Sequence, residues 1–119
     1  MATVTLGSQG LLNADLVLVQ NVSFSAVIVH ETEDGEPIDH TGWTLYCQAQ
    51  QGAKRRIDLS SCVYFGDDGQ IIMLIPDETT KNMALGTYNW DIIAEDETGY
   101  ATRIVYGRAV VYDSYARDE

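Results

Sequence analysis

Positive charge is scarce in this chain. Seven Lys plus Arg stand against eighteen Asp plus Glu among 119 residues, a formal net charge of −11. Nucleic-acid binding draws most of its affinity from neutralised phosphates, so this balance excludes DNA and RNA as partners. The same excess repels anionic lipid headgroups, and no stretch reaches the about 18 apolar residues of a membrane helix. A membrane partner is therefore not expected. Cysteine is rarer still, at Cys47 and Cys62 only. Two cysteines and two histidines, His30 and His40, lack the ligand spacing of a structural zinc site. In a reducing compartment the cysteines are expected to stay as free, mostly buried thiols. The opening MATVTLGSQG lacks a basic segment followed by an apolar run, so it does not read as a signal peptide. The expectation is a chain made and folded in a cytosol.

Catalytic patterns are missing too. There is no Gly-x-Ser-x-Gly elbow. The segment GSQG lacks the Lys and the following helix of a phosphate loop. His30 precedes Glu31, Glu33, Asp34 and Glu36, but this acidic segment does not follow the alternation of a calcium loop. The acidic pairs at Asp67-Asp68 and Glu95-Asp96-Glu97 fall in turns, where carboxylates are exposed, not opposed across a cleft. Cys62 would be a nucleophile only with a cation beside it, and Arg55 and Arg56 are near in sequence alone. The reading is of a protein that is not an enzyme, with no catalytic residues, no metal and no cofactor.

What is present is β patterning. Hydrophobic residues make up 45% of the chain, enough for a core at this length. One domain over residues 1–119 is expected, with a polar tail at 113–119. Apolar residues recur with a period of two. Val22, Phe24, Ala26 and Ile28 share one face, as do Trp43, Leu45, Cys47 and Ala49, and then Tyr88, Trp90, Ile92 and Ala94. Asp34-Gly35 and Asp68-Gly69 mark turns. QIIMLI at 70–75 is apolar on both faces and so belongs centrally in a sheet or at an interface. QGAKRRIDL reads as a connection. PDETTKNMALG carries the one helical signal, with Asp77 as the cap and Gly86 as the stop, a short crossover between two sheets. Gly107 interrupts the last strand, which implies a β-bulge or a close backbone approach. The whole predicts an all-β sandwich of seven to eight strands with one short helical crossover turn.

Two resemblances sharpen this reading. LGTYNW resembles the Gly-x-Tyr-x-Cys segment of immunoglobulin-like sandwiches, with Trp90 where the cysteine would stand. It implies that Tyr88 is a corner tyrosine whose hydroxyl bonds to nearby backbone, and that Trp90 and Trp43 belong to the core. It also implies that no inter-sheet disulfide passes through position 90. GEPIDHTGWTLYCQ, followed by MALGTYNWDIIAEDETGYATRIVYGRAVV, resembles small β-sandwich modules of tailed-bacteriophage tail and baseplate proteins. The matching positions are Asp39, Thr41, Gly42 and Trp43, then Gly86, Tyr88, Trp90 and Asp91, then Arg103 and Gly107, over roughly residues 35 to 112.

That resemblance implies a non-enzymatic structural subunit of a phage virion, made in the host cytoplasm and working through contacts with other virion proteins. It implies a homo-oligomer or a multi-copy place in a symmetric assembly. A capsid decoration protein and a carbohydrate- or receptor-binding module are the alternatives. The candidate interface follows from residue type. Tyr and Arg are enriched at binding hot spots, and Tyr100, Arg103, Tyr106, Arg108, Tyr112 and Tyr115 crowd the C-terminal end, with Arg117 beyond them. The final strand reads as apolar on both faces, which favours that assignment. An exposed aromatic platform beside a carboxylate cleft would favour sugar binding instead, and a flat apolar strand face would favour assembly.

Overall fold

Strict alternation of buried and exposed side chains sorts most of this chain into strands. The computed structural model describes residues 2–6, 12–31, 34–53 and 55–115, with backbone alone at 2–6 and 12. The segments are β1 (Ala2–Leu6), β2 (Leu12–Asn13), β3 (Leu16–Val19), β4 (Phe24–His30), β5 (Thr44–Gln51), β6 (Arg55–Asp58), β7 (Val63–Phe65), β8 (Gln70–Ile75), β9 (Gly86–Glu95) and β10 (Ala101–Tyr112). They form two sheets. One runs β1-β4-β8-β7. The other is six-stranded and runs β10-β9-β5-β6, with β2 and β3 both on the outer side of β10.

The protein is an all-β, two-sheet sandwich. Ala26, Ile28, Ile71, Met73 and Ile75 from the first sheet meet Leu45, Cys47, Ala49, Tyr88, Trp90, Ile92 and Ala94 from the second in one core. Burial of such side chains supplies the main driving force for folding, at about 25 cal/mol per Å². The short helix α1 (Asp77–Lys81) carries the chain from β8 in one sheet to β9 in the other. Its cap differs from the expectation. Pro76, in extended conformation, holds the N-cap position without a side-chain cap bond, and Asp77 is the first helical residue. Asp77 still sits where helix-terminal N–H groups favour a negative charge.

The supposed connection QGAKRRIDL is instead partly a strand. β6 pairs with β5 from Gln48↔Asp58 to Gln51↔Arg55. Its charged residues hid it, because edge strands of this kind carry charge that discourages pairing with other chains. The hairpin from β7 to β8 turns through Asp68 (φ 55°) and Gly69 (φ 77°). Positive φ at both central residues is the primed turn that suits strand twist.

The last strand has two irregularities. The bulge falls between Arg103 and Val105, so Ile104 and Val105 both point into the core, 1% and 0% exposed. Gly107 is a close approach, not the bulge. A Cβ there would lie 1.9 Å from the Ala14 carbonyl oxygen. That oxygen turns inward to accept a hydrogen bond from the Trp90 indole N–H at 3.0 Å. β2 and β3 keep one parallel register on β10 on either side of this break. The Arg108 N–H, left without its ladder partner, donates to the Asp15 carboxylate at 3.1 Å. A glycine, a tryptophan and an aspartate thus interrupt one edge without orphaning a backbone group.

Candidate functional site

Polar chemistry collects at one end of the sandwich. Register sets Thr44, Glu95 and Ala101 side by side, while the Gly69 carbonyl accepts the His30 N–H at 2.9 Å. The loops at 31–43, 66–69 and 95–100 therefore share a pole. No Lys or Arg occurs in them, and they carry Glu31, Asp34, Glu36, Asp39, Asp67, Asp68, Glu95, Asp96 and Glu97 among the described residues. Two of the turns are built alike. Asp39 Oδ1 accepts both the Thr41 N–H (3.0 Å) and its hydroxyl (2.6 Å). Asp96 Oδ1 does the same for Thr98, at 2.9 and 2.6 Å. Gly42 and Gly99 follow with φ of 81° and 91°. These bonds hold the Asp39 and Asp96 carboxyls below the usual carboxylate range, the Thr41 and Thr98 side-chain bonds contributing most. The Asp-x-Thr-Gly-aromatic pattern thus occurs twice, at 39–43 and at 96–100. Sequence reasoning missed the second copy, although it stands in DETGY.

Sequence reasoning also missed the histidine pair beneath this pole. His30 Nδ1 and His40 Nε2 lie 2.9 Å apart. The ring planes are 14° from parallel and the centroids 5.2 Å apart. That separation is about the N···N distance plus two ring radii, so the rings meet edge to edge. One imidazole donates and the other accepts. His40 stacks on Phe65 at 4.6 Å and meets the edge of Trp43 at 4.9 Å. Burial lowers the pKa of His30. It pushes that of His40 down to about 4, with the His30 charge as the second cause and Asp39 partly opposing. Both shifts favour the neutral ring. A metal bonded at ~2.0–2.1 Å to both nitrogens along these axes would need them farther apart. Among the described residues no group of three or more His, Cys, Asp or Glu is arranged to hold a metal. A cavity of about 470 Å³ opens above the pair, bounded by Asp39, Phe65, Asp67 and Asp68.

The candidate core and interface residues take different places. Tyr88 is fully buried and its hydroxyl accepts the Ala84 N–H at 2.9 Å. Trp90 is 3% exposed. Trp43 is half-buried against the histidines. The six candidate interface residues do not form one patch. Tyr100 lies in the β9–β10 turn and Tyr115 beyond the end of β10. A twelve-residue strand, about 40 Å long at ~3.3 Å per residue, separates them. Arg103, Tyr106, Arg108 and Tyr112 share the outer face of the six-stranded sheet. Arg103 Nε donates to Asp91 at 3.2 Å, and its guanidinium lies 4.7 Å over the Tyr106 ring. The final strand is therefore not apolar on both faces. Its inner row is Val105, Ala109 and Val111, and its outer row mixes Arg, Tyr and Val110. Arg117 and Glu33 lie outside the described residues, as does the tail from 116 onward.

Both cysteines are free and buried. Desolvation raises both thiols, and Cys47 is pushed up to about 12. Neither is an activated nucleophile.

No protein-family model matches the sequence, and no curated protein sequence matches it. Solved structures do. The N-terminal domain of phage TP901-1 ORF48 superposes with a TM-score of 0.54 at 16% identity, covering 94% of this chain and 99% of that one. The Listeria monocytogenes internalin-like protein lmo2027 matches at 0.43 and 12% identity, over 92% of this chain and 30% of that one. A family 123 glycoside hydrolase from Clostridium perfringens matches at 0.39 and 12%, over 89% and 24%. The last two likenesses are too distant in shape to bear on function. The first is a shared fold: this chain has the all-β fold of a phage protein domain.

Proposed function

We propose that this protein is a non-enzymatic structural subunit of a tailed-phage virion, seated in its tail or baseplate by contacts with other virion proteins. The observation that carries this reading is the likeness to the phage TP901-1 ORF48 domain, which spans both chains almost end to end. The strand order supports an immunoglobulin-like assignment, with β4-β8-β7 facing β10-β9-β5-β6, as does the corner bond of Tyr88 to the backbone just upstream. The outer face of the six-stranded sheet is the seat for a partner protein. Val17, at 60% exposure, and Tyr112, at 54%, sit beside Arg108 and the Arg103–Tyr106 stack, residue types that dominate hot spots.

Sugar binding fits less well. Gln48, Gln50 and Asn89 line a depression of about 220 Å³ on this face, but Arg103 covers the Tyr106 ring that a sugar would stack on. The test is to complement a phage deleted for this gene with tagged chain and probe purified particles. Wild-type protein is expected in the particles. Tyr106→Ala with Tyr112→Ala should fold yet be absent from them. Absence of the unmodified protein from particles would end the virion reading.

A further inference from the structure

The chain has twenty-five charged residues by its composition, eighteen acidic and seven basic, yet none stands in the four-stranded sheet. β1, β4, β7 and β8 read ATVTL, FSAVIVH, VYF and QIIMLI, without Asp, Glu, Lys or Arg. The inward residues of β4, β7 and β8 belong to the core, so the absence matters on the outward side. There Val27 pairs beside Ile72, Ile72 beside Tyr64, and Ser25 beside Leu74. Leu74 is 44% exposed and Tyr64 45%. Val27, Val29 and Ile72 are half-buried. A solvated sheet face normally alternates toward charge, and a solvated edge is guarded by Lys, Pro or inward charge. The six-stranded sheet follows that rule, with Arg55, Arg56 and Asp58 along its β6 edge. The four-stranded sheet follows it on neither face nor edge.

We propose that this uncharged face packs against the same face of a second copy in a two-fold, isologous contact. The occupant follows from charge. Two chains of −11 repel wherever acidic surfaces meet. The described acids lie in the turns, in α1 and on the six-stranded sheet. The four-stranded face alone can meet its own kind without bringing charged strand residues together. A basic partner would gain nothing there and would be drawn to the acidic pole. Val27, Val29, Ile72, Leu74 and Tyr64, with Ser25 and Gln70 between them, make an uncharged face that can pack on its own kind, as the two inner faces of a sandwich do at about 10 Å spacing. An antiparallel two-fold arrangement also sets the two acidic poles at opposite ends of a molecule 44 Å long.

Size predicts strength. Four strands ~4.8 Å apart, of five, seven, three and six residues, cover only some ~330 Å² of sheet. A stable interface needs about 800 Å² per partner. The dimer is therefore weak and concentration-dependent, with a dissociation constant in the range of ~1 µM to ~1 mM. This inference stands on the sheet, independently of any place in a virion.

Sedimentation equilibrium of the full chain, from about 1 µM to about 1 mM, spans the range of a weak interface. Wild type is expected to pass from monomer to dimer within it. Leu74→Lys should weaken the dimer by roughly tenfold or more. Because Leu74 is exposed in the monomer, the variant should keep the wild-type thermal melt when dilute. The substitution also lowers the net negative charge, so a loss cannot come from greater repulsion between the acidic bodies. Val17→Lys, on the opposite sheet, should leave the constant unchanged. Added salt should tighten the dimer by screening the acidic bodies. A monomer at every concentration would overturn the proposal. So would a dimer indifferent to Leu74→Lys, one broken by Val17→Lys, or one that salt dissociates.

Discussion

The two sheets share a core but treat polar groups differently. The six-stranded sheet is crossed by specific polar bonds. Trp90 donates to Ala14, Arg108 N–H to Asp15, Arg103 to Asp91, and the Ala84 N–H to Tyr88. The four-stranded sheet has no Asp, Glu, Lys or Arg in its strands, and among the described residues its one buried polar feature is the His30–His40 pair at its end. Register explains the difference. The broken β2–β3 edge and the crossover fall on or beside the larger sheet, and each leaves a backbone N–H that a side chain satisfies, Asp15 for Arg108 and Tyr88 for Ala84. The smaller sheet has regular ladders and needs no such repair. Irregularity in one sheet recruits polar residues, while regularity in the other allows an uncharged surface.

The sharpest way to break this comparison is to remove the irregularity. Gly107→Ala puts a methyl where the Ala14 carbonyl oxygen sits. The edge must move, and the Trp90 bond and the Asp15 bond go with it. Combining a backbone clash with lost buried hydrogen bonds, the variant should lose more than about 4 kcal/mol of unfolding free energy, at the upper end for single substitutions. Urea unfolding followed by Trp fluorescence measures this. A wild-type midpoint would mean that the break at Ala14 does not depend on Gly107.

The second prediction tests the polar feature of the smaller sheet. Both histidines have folded pKa values below their ordinary 6.5, His40 at about 4. The unfolded chain therefore takes up protons first as pH falls. Their contribution is complete above pH 6.5 and is lost progressively toward about pH 4. A loss on the order of 2 kcal/mol is expected between those limits. Asp39, Asp58 and Asp96 do not obscure it, because their pKa values lie below the ordinary 3.8 and their effect comes later. The slope should vanish in a His30→Gln, His40→Gln double variant. If the double variant keeps the wild-type slope across this window, the pair is not its source.

Third in size is Tyr88→Phe. The ring stays, but the Ala84 N–H loses its acceptor in a part-buried site. The cost should be about 1–2 kcal/mol, as for a lost hydrogen bond that strands its partner. No change in the unfolding midpoint would remove the corner role.

Much of the larger sheet was legible because its periodicity is strict. Tyr88, Trp90, Ile92 and Ala94 alternate without a slip, and all four are buried. Gly107 was legible as one of two things, and the structure selects the close approach. The bulge itself left no mark, because Ile104 and Val105 are both apolar and either could have faced inward. β6 was hidden by its own edge charges. The histidine pair could not be read from spacing, since the rings meet across a sequence separation of ten residues and no local pattern specifies that. A cue did exist: His40 stands within the Asp39–Trp43 turn that leads an aromatic residue to the end of β4. The candidate interface was scattered for a simpler reason. A cluster of tyrosines and arginines in sequence is a line along a strand, and a strand spreads it over the full length of the molecule.

The smallest expected effect separates holding the fold from holding a partner. Arg103 and Asp91 form an ion pair with side chains 49% and 29% exposed. Exposed pairs contribute about 0–1 kcal/mol, because water screens the attraction and ordering two side chains costs entropy. The guanidinium over Tyr106 adds an exposed cation–π contact of about 0.5–1 kcal/mol at most. Arg103→Ala should therefore shift the unfolding free energy by less than about 1 kcal/mol, well below Tyr88→Phe. If the six-stranded face seats a partner, the same substitution should still reduce incorporation into particles, since Arg at a desolvated contact carries far more than it does in water. A large stability loss would instead make Arg103 part of the polar framework of the larger sheet. Unchanged stability with unchanged incorporation would remove it from the seat.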